Sequence, residues 1–357
     1  MKRGRQRQQV ARSRRRGRQR WGVCAGWALV AACSGEAASP VELTSRPTTS
    51  SSSTTTSSST TTTMATTTTV YVPPPPAPLV VPREVPRPGE GQWIPLVQAG
   101  GMDAMWITQI RPLASTSRIS ATVVVIDQTH LRVALFTGYT IKGNWARGAT
   151  VPPDLWPSLL VAMNGGFKLE HSNGGYVTEG QVVQPLINGR ATLAIDREGV
   201  LHIGELGRDL FDDGTWVTLR QNLILLVDGG QPQLQRARQE RVYWGSELGG
   251  NDFVPRTALC ELRDGRLAYM VASPVDAGQL AEALIHVGCE KAIQLDINNG
   301  WPSFNVMQHL PDGTLAQHPV DPRMSNHPTR FLTERAAKDF FGFFDRSLLP
   351  SDSALEA

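Results

Sequence analysis

The stretch Ala292–Phe304, "AIQLDINNGWPSF", begins as an apolar run and ends with Asp296, Asn298, Asn299 and Ser303 beside Trp301 and Phe304. Two further apolar runs end in the same type of loop. "LLVAMNGGF" delivers Asn164, Gly165 and Gly166, and "LILLVDGG" delivers Asp228, Gly229 and Gly230. A carboxylate or amide at a strand end, followed by glycines, lets a ligand approach bare backbone. The same pattern is also how a tight turn is made, and Asp228-Gly229-Gly230 reads as a turn. Asp296, Asn298 and Asn299 are oxygen donors that leave a divalent cation open, although no cofactor is called for and no spacing of His or Cys resembles a metal site.

The elements that must carry these loops are strands. Short β-branched runs recur between Gly, Asn and Asp clusters: "SATVVVID" (120–127), "LRVALFTG" (131–138), "SLLVAMNGG" (158–166), "LHIGEL", "TWVTLR", "LILLVDGG", "RTALCEL", "RLAYMVA" and "KAIQLD". One helix is clear, over 276–287. Asp276 caps it, Gln279 stands three positions on, Leu280, Leu284 and Val287 form its apolar stripe, and Gly288 ends it. A second helix is predicted over Thr333–Phe341. The fold class is α+β: a single strand-rich domain with a mixed sheet, few helices and at least one β-α-β passage. It spans 93–347, with a short tail over 348–357.

The order of four pieces is informative: "VAMNGGF", then "GGY" at 174–176, then "VPRTALCELRDGRL" at 254–267, then "LAEALIHVGCEKAIQLDINNGWPSF". Together they resemble the phosphodiester glycosidase family over most of 120–310. The resemblance implies a site built from Asn164, Gly165, Gly166, Arg256, Thr257 and Asp296. In it Arg256 would grip an anionic sugar phosphodiester through paired N–H donors. Asn164 and the Gly165 and Gly166 backbone would bind hydroxyls or a phosphate oxygen, and Asp296 would act as acid, base or nucleophile at the anomeric carbon. A second carboxylate, if one is used, is open among Glu170, Glu179 and Asp228. Trp301 and Tyr176 have the shape to stack on a sugar or to pack in the core, and His171 reads as a solvated loop residue. The family's Asp-Gly-Gly-Gly-Ser loop is here Asp296-Ile297-Asn298-Asn299-Gly300-Trp301-Pro302-Ser303, so side chains occupy space that glycines leave open.

Charge and composition set the context. The formal charge is +3, and residues 1–20 hold ten Lys and Arg with no acid, so the remaining chain carries −7 (+3 overall less +10 in the leader). An acidic body excludes nucleic acid as a partner. Residues 21–32, "WGVCAGWALVAA", have the length of a signal-peptide core. Val30-Ala31-Ala32-Cys33 resembles a bacterial lipobox, with Cys33 the lipidated residue; ordinary cleavage near "GEAAS" is the alternative. The leader therefore covers 1–33. A disordered stalk covers 34–92: its Ser/Thr-rich tract, 44–69, is too polar to offset its ordering entropy, and the Pro-rich part that follows favours extended, stiffer polyproline conformations. Cys260 and Cys289 fall in apolar contexts, where a disulfide or two free thiols are both open. These features together predict an exported protein, held by lipid at the outer face of the cytoplasmic membrane or secreted. Its partner is a glycan or sugar-phosphate substrate, which it hydrolyses; the alternatives are a non-catalytic envelope protein that recognises glycan through Asn298, Asn299 and Trp301, and a structural domain without a ligand.

Overall fold

The computed structural model describes residues 71–245, 250–325, 327–351, 353 and 355. The leader, Cys33 and the Ser/Thr tract lie outside the described residues. The chain opens with β1 (Ile94–Ala99), β2 (Met102–Ile110), β3 (Ser120–Ile126), β4 (Leu131–Phe136) and β5 (Leu159–Asn164), then one turn of helix, α1 (Leu169–Ser172). Next come β6 (Tyr176–Thr178), β7 (Gln181–Gln184), β8 (Ala191–Ile195), β9 (Leu201–Glu205) and β10 (Thr218–Gln221). The short pieces β11 (Val227–Asp228), β12 (Gln231–Pro232) and α2 (Leu234–Gln239) lead to β13 (Val254–Leu262) and β14 (Leu267–Val275). After these follow α3 (Ala277–Val287), β15 (Cys289–Ile297), β16 (Phe304–His309), β17 (Leu315–Pro319) and β18 (Phe340–Asp345).

Three sheets result, ordered β1-β2-β3-β14-β13-β15-β11-β12, β17-β16-β5-β18-β4 and β7-β6-β10-β8-β9. Neighbouring strands pair antiparallel. The β-α-β passage is β14–α3–β15, with β13 inserted between its two ends. Alternation sorts β3 cleanly: Val123 and Val125 pack on the α3 side, while Val124 and Ile126 face the core shared with the other sheets. On α3, Leu280, Ala281, Ala283 and Leu284 are fully buried, and each large side chain removed from water contributes about 1.5–3 kcal/mol. The α3 capping box forms as expected: Gln279 N–H donates to Asp276 Oδ1 at 2.7 Å, and Gly288 closes the helix at φ 98°.

Three expectations change. No helix forms over Thr333–Phe341; turns lead directly into β18. The pattern "FFGFFD" is apolar at nearly every position because β18 is a central strand, buried on both faces between β5 and β4. "LILLVDGG" contributes only the two-residue β11. The Pro-rich segment is seated on the domain. Trp93 Nε1 donates to Ala77 O at 2.9 Å, Arg266 Nη1 donates to Pro74 O at 2.9 Å, and His286 Nε2 meets Val80 O at 2.7 Å. The segment's backbone carbonyls, that of Pro74 among them, are what these side chains use. Cys260 and Cys289 form a disulfide between β13 and β15, on the α3 side of the sheet.

Candidate active site

The site lies where β5, β13 and β15 end together. Asn164, the last residue of β5, is the pin. Its Nδ2 donates to Gly165 O at 3.0 Å and Thr257 Oγ1 at 3.1 Å. Its Oδ1 accepts from Tyr269 Oη at 3.0 Å and from the Ser303 N–H at 3.0 Å. That is the full capacity of a carboxamide, so Asn164 positions the site where a substrate contact was expected. Thr257 continues the chain of bonds, its Oγ1 donating to Asp296 O at 2.7 Å.

The two glycines serve close approach between chain segments. Gly165 N–H donates to Asp339 O at 3.1 Å, and Asp296 N–H donates to Gly165 O at 3.2 Å. A Cβ on Gly165 would lie 2.7 Å from Asp339 O. A Cβ on Gly166 would lie 3.2 Å from Asn222 Cγ. The expectation that these glycines open the backbone to a ligand gives way to a packing role at Gly165, where the segment 338–339 takes the space.

Asp296 is 2% exposed, and its Oδ1 pairs with Lys338 Nζ. The Lys338 ammonium sits 4.3 Å from the centre of the Trp301 ring. Behind the pair, Asp339 is held by Arg220, Nε to Oδ2 at 2.8 Å, with both side chains buried. Burial pushes the Asp296 carboxyl up to about 7; the Asp339 charge adds to this, while Lys338 and Arg220 oppose it. The group therefore changes protonation near neutral pH.

Two cavities share this floor. The larger, 570 Å³, is bounded by Asp296, Ile297 and Asn298 below, by Trp301 and Lys338 on one side, and by Phe167, His171 and Tyr243. The smaller, 170 Å³, takes in Asn164, Ser303 and Arg330 with Asp296, Trp301 and Lys338. The divergent loop shapes both. Ile297 is buried in a cluster with Phe167 and Val254, and half-buried Trp301 lines both cavities. Asn298 adopts the left-handed region at φ 73°, its N–H bonded to Pro255 O at 3.0 Å. Asn299 is exposed and lines a crevice by Pro255 and Met324, away from the Asp296 cavities.

Arg256 is the largest departure from expectation. It is 2% exposed and lines neither cavity. Its Nε donates to Val275 O at 3.0 Å, one terminal nitrogen to Trp244 O at 2.8 Å and Gln294 Oε1 at 3.2 Å, and the other to Asp252 O at 3.1 Å. Strand alternation explains the placement: Ala258 and Cys260 face α3 from alternate positions of β13, while Thr257 turns toward Asn164. Arg256 thus ties the segment around Trp244 and Asp252 to the sheet end.

The carboxylates suggested as partners are also elsewhere. Glu179 accepts from the Ala146 and Arg147 N–H groups at 2.9 and 2.8 Å, and Asp228 pairs with Arg208 at 2.7 Å. Glu170 is exposed and borders neither cavity. Tyr176 is fully buried under the Arg220 guanidinium, 5.5 Å from its ring centre, so it is a core residue. His171 does border the larger cavity. Among the described residues no group of three His, Cys, Asp or Glu side chains is placed to hold a metal ion. Lys338, Asp339 and Arg220 escaped the sequence reading. Their signal was "KD" directly before "FFGFF", a charged pair at the mouth of an apolar strand.

Comparison with known proteins adds the following. The model of the phosphodiester glycosidase family matches residues 158–296. No curated protein matches. Among solved structures, one similar fold is the catalytic domain of zebrafish N-acetylglucosamine-1-phosphodiester alpha-N-acetylglucosaminidase, auto-inhibited by its pro-peptide. It is 19% identical, with 67% of this chain and 81% of that chain covered and a TM-score of 0.42. A hypothetical protein from Synechocystis is 14% identical, with 71% of this chain and 64% of that chain covered and a TM-score of 0.43. The family match covers the strands that bring Asn164, Thr257 and Asp296 together, and over residues 158–296 this chain is similar to the phosphodiester glycosidase family.

Proposed function

We propose that this protein is an exported, lipid-anchored hydrolase of sugar phosphodiesters or related cell-envelope glycoconjugates, with Asp296 as its acid–base group. One observation carries the reading: a buried carboxyl with a pKa of about 7 stands at the shared floor of two cavities, paired to Lys338 beside Trp301. A general base works best when its pKa lies near the working pH. In the proposed step ionised Asp296 takes a proton from water, whose oxygen attacks the anomeric carbon. The C1–O bond breaks and its electron pair leaves with the phosphate oxygen.

A phosphate ester leaves as a stable anion, so protonation by a second carboxyl is dispensable. That agrees with the placement of Glu170, Glu179 and Asp228 away from Asp296. Lys338 supplies positive charge where the leaving group gains negative charge, and the Trp301 face is suited to a sugar ring. Export and anchoring rest on the apolar run 21–32 and on Cys33.

The test is release of free sugar from N-acetylglucosamine-1-phosphodiester substrates by the full chain. Turnover by wild type, with Asp296→Asn reduced by about 10²–10⁴-fold, is the expected result. Equal turnover by both proteins removes Asp296 from the chemistry. Saturable glycan binding without turnover makes the domain a binding protein.

A further inference from the structure

The 170 Å³ chamber shares only Asp296, Trp301 and Lys338 with the larger cavity. Its remaining lining comes mainly from residues 330–339, which lie beyond the family match at 158–296. The chamber has a definite electrostatic character. With the pairs Asp296–Lys338 and Asp339–Arg220 set aside, the lining retains two guanidiniums, Arg330 and Arg335, against one carboxylate, Glu334. Arg330 Nη1 reaches Gly300 O at 3.3 Å, which fixes that loop. Arg335 is exposed, its guanidinium 5.6 Å from the centre of the Tyr139 ring.

The second observation is a hydroxyl. Ser303 is 2% exposed and lines the chamber, and its Oγ has no hydrogen-bond partner among the described residues. Its backbone N–H is held by Asn164 Oδ1 at 3.0 Å, so the residue is fixed while its hydroxyl is left unspent. A buried hydroxyl without a partner is unfavourable unless something enters to meet it.

We infer that this chamber is a phosphoryl subsite, in which Ser303 Oγ–H and the Arg335 guanidinium donate to phosphoryl oxygens while the sugar occupies the larger cavity. The assignment rests on the hydrolase reading for its place in a reaction, and it puts the scissile C1–O bond over Asp296, where the two cavities meet. It also gives the divergent loop a use. The added residues before Ser303 carry that side chain to the chamber and set Trp301 with Lys338 at the boundary between the two spaces.

The experiment is calorimetric titration of the full chain with inorganic phosphate, alongside sugar release from the phosphodiester substrate. Ser303→Ala and Arg335→Gln are each expected to weaken phosphate binding about tenfold, since hydrogen bonds to a charged group are lost. Neither should unfold the protein, because Ser303 Oγ bonds nothing within it and Arg335 is exposed; thermal melting without phosphate checks this. Unchanged phosphate affinity in both variants, or no phosphate binding by wild type, overturns the inference. Phosphate binding that weakens in the variants, without any sugar release, upholds the subsite and removes the hydrolase reading. Sugar release that both variants retain and that phosphate does not inhibit has the opposite meaning.

Discussion

Asp296 and Lys338 act as one unit, since the buried carboxyl is paired directly with the partly buried ammonium. The Asp296 carboxyl is raised from 3.8 to about 7, chiefly by burial. Activity that needs the ionised form should therefore rise with pH through a limb near 7, and the limb should be absent from the residual activity of Asp296→Asn. Lys338 holds this value down, so Lys338→Met should move the limb to higher pH and lower the rate at pH 7 by about tenfold or more, one pKa unit being a factor of ten. A pH–rate series on the two variants checks both outcomes. The same shift has a consequence for stability. A raised carboxyl favours the folded state fully below the unfolded pKa, near 4, and that contribution is lost as pH rises through about 7. Denaturant titrations of wild type should thus show a fall between pH 4 and 7 that Asp296→Asn flattens.

At the scale of elements, the loop before β18 matters because it brings Lys338 and Asp339 to the ends of β5 and β15. Gly165 admits it. Gly165→Ala would set a methyl 2.7 Å from the Asp339 carbonyl oxygen, displacing backbone that has no flexible end to give way. A loss of about 1–3 kcal/mol is expected, with a larger proportional loss of activity because Lys338 moves with Asp339; denaturant titration and turnover measured together check this. The Cys260–Cys289 disulfide closes a sequence separation of 29 residues between β13 and β15, the two strands that carry Thr257 and Asp296. Its removal by paired Cys→Ala substitution should cost about 3 kcal/mol, read as a lower denaturation midpoint than the oxidised protein.

Across the whole molecule, the Pro-rich segment meets the domain beside the β13–β14 turn, where Arg266 bonds Pro74. Thr257, at the opposite end of β13, bonds Asp296. A strand of nine residues spans about 30 Å. The Pro74 contact thus lies toward the end of the sheet away from the Asp296 cavities. Cys33→Ala should transfer the protein from the membrane to the soluble fraction, and unchanged membrane retention in that variant would rule the anchor out.

Some of this was legible along the chain because local rules decided it. The α3 boundaries follow from Asp276, Gln279 and Gly288, and most of the strands that meet at the site follow from short β-branched runs ending in polar residues. Asp296 stood out for the same reason: a carboxylate at the end of a buried strand needs a purpose. What the chain could not reveal was which side chains spend their hydrogen bonds on the protein itself. Arg256 and Asn164 have the chemistry to bind a substrate, yet both are occupied by the strands and loops around them. Lys338, 42 residues beyond Asp296, carries no signal of partnership until β18 docks between β5 and β4. Residue types and local order follow from sequence because they depend on neighbours a few positions away. Burial, pairing and the raised Asp296 pKa are decided only in the tertiary structure, because they depend on groups brought together from distant strands.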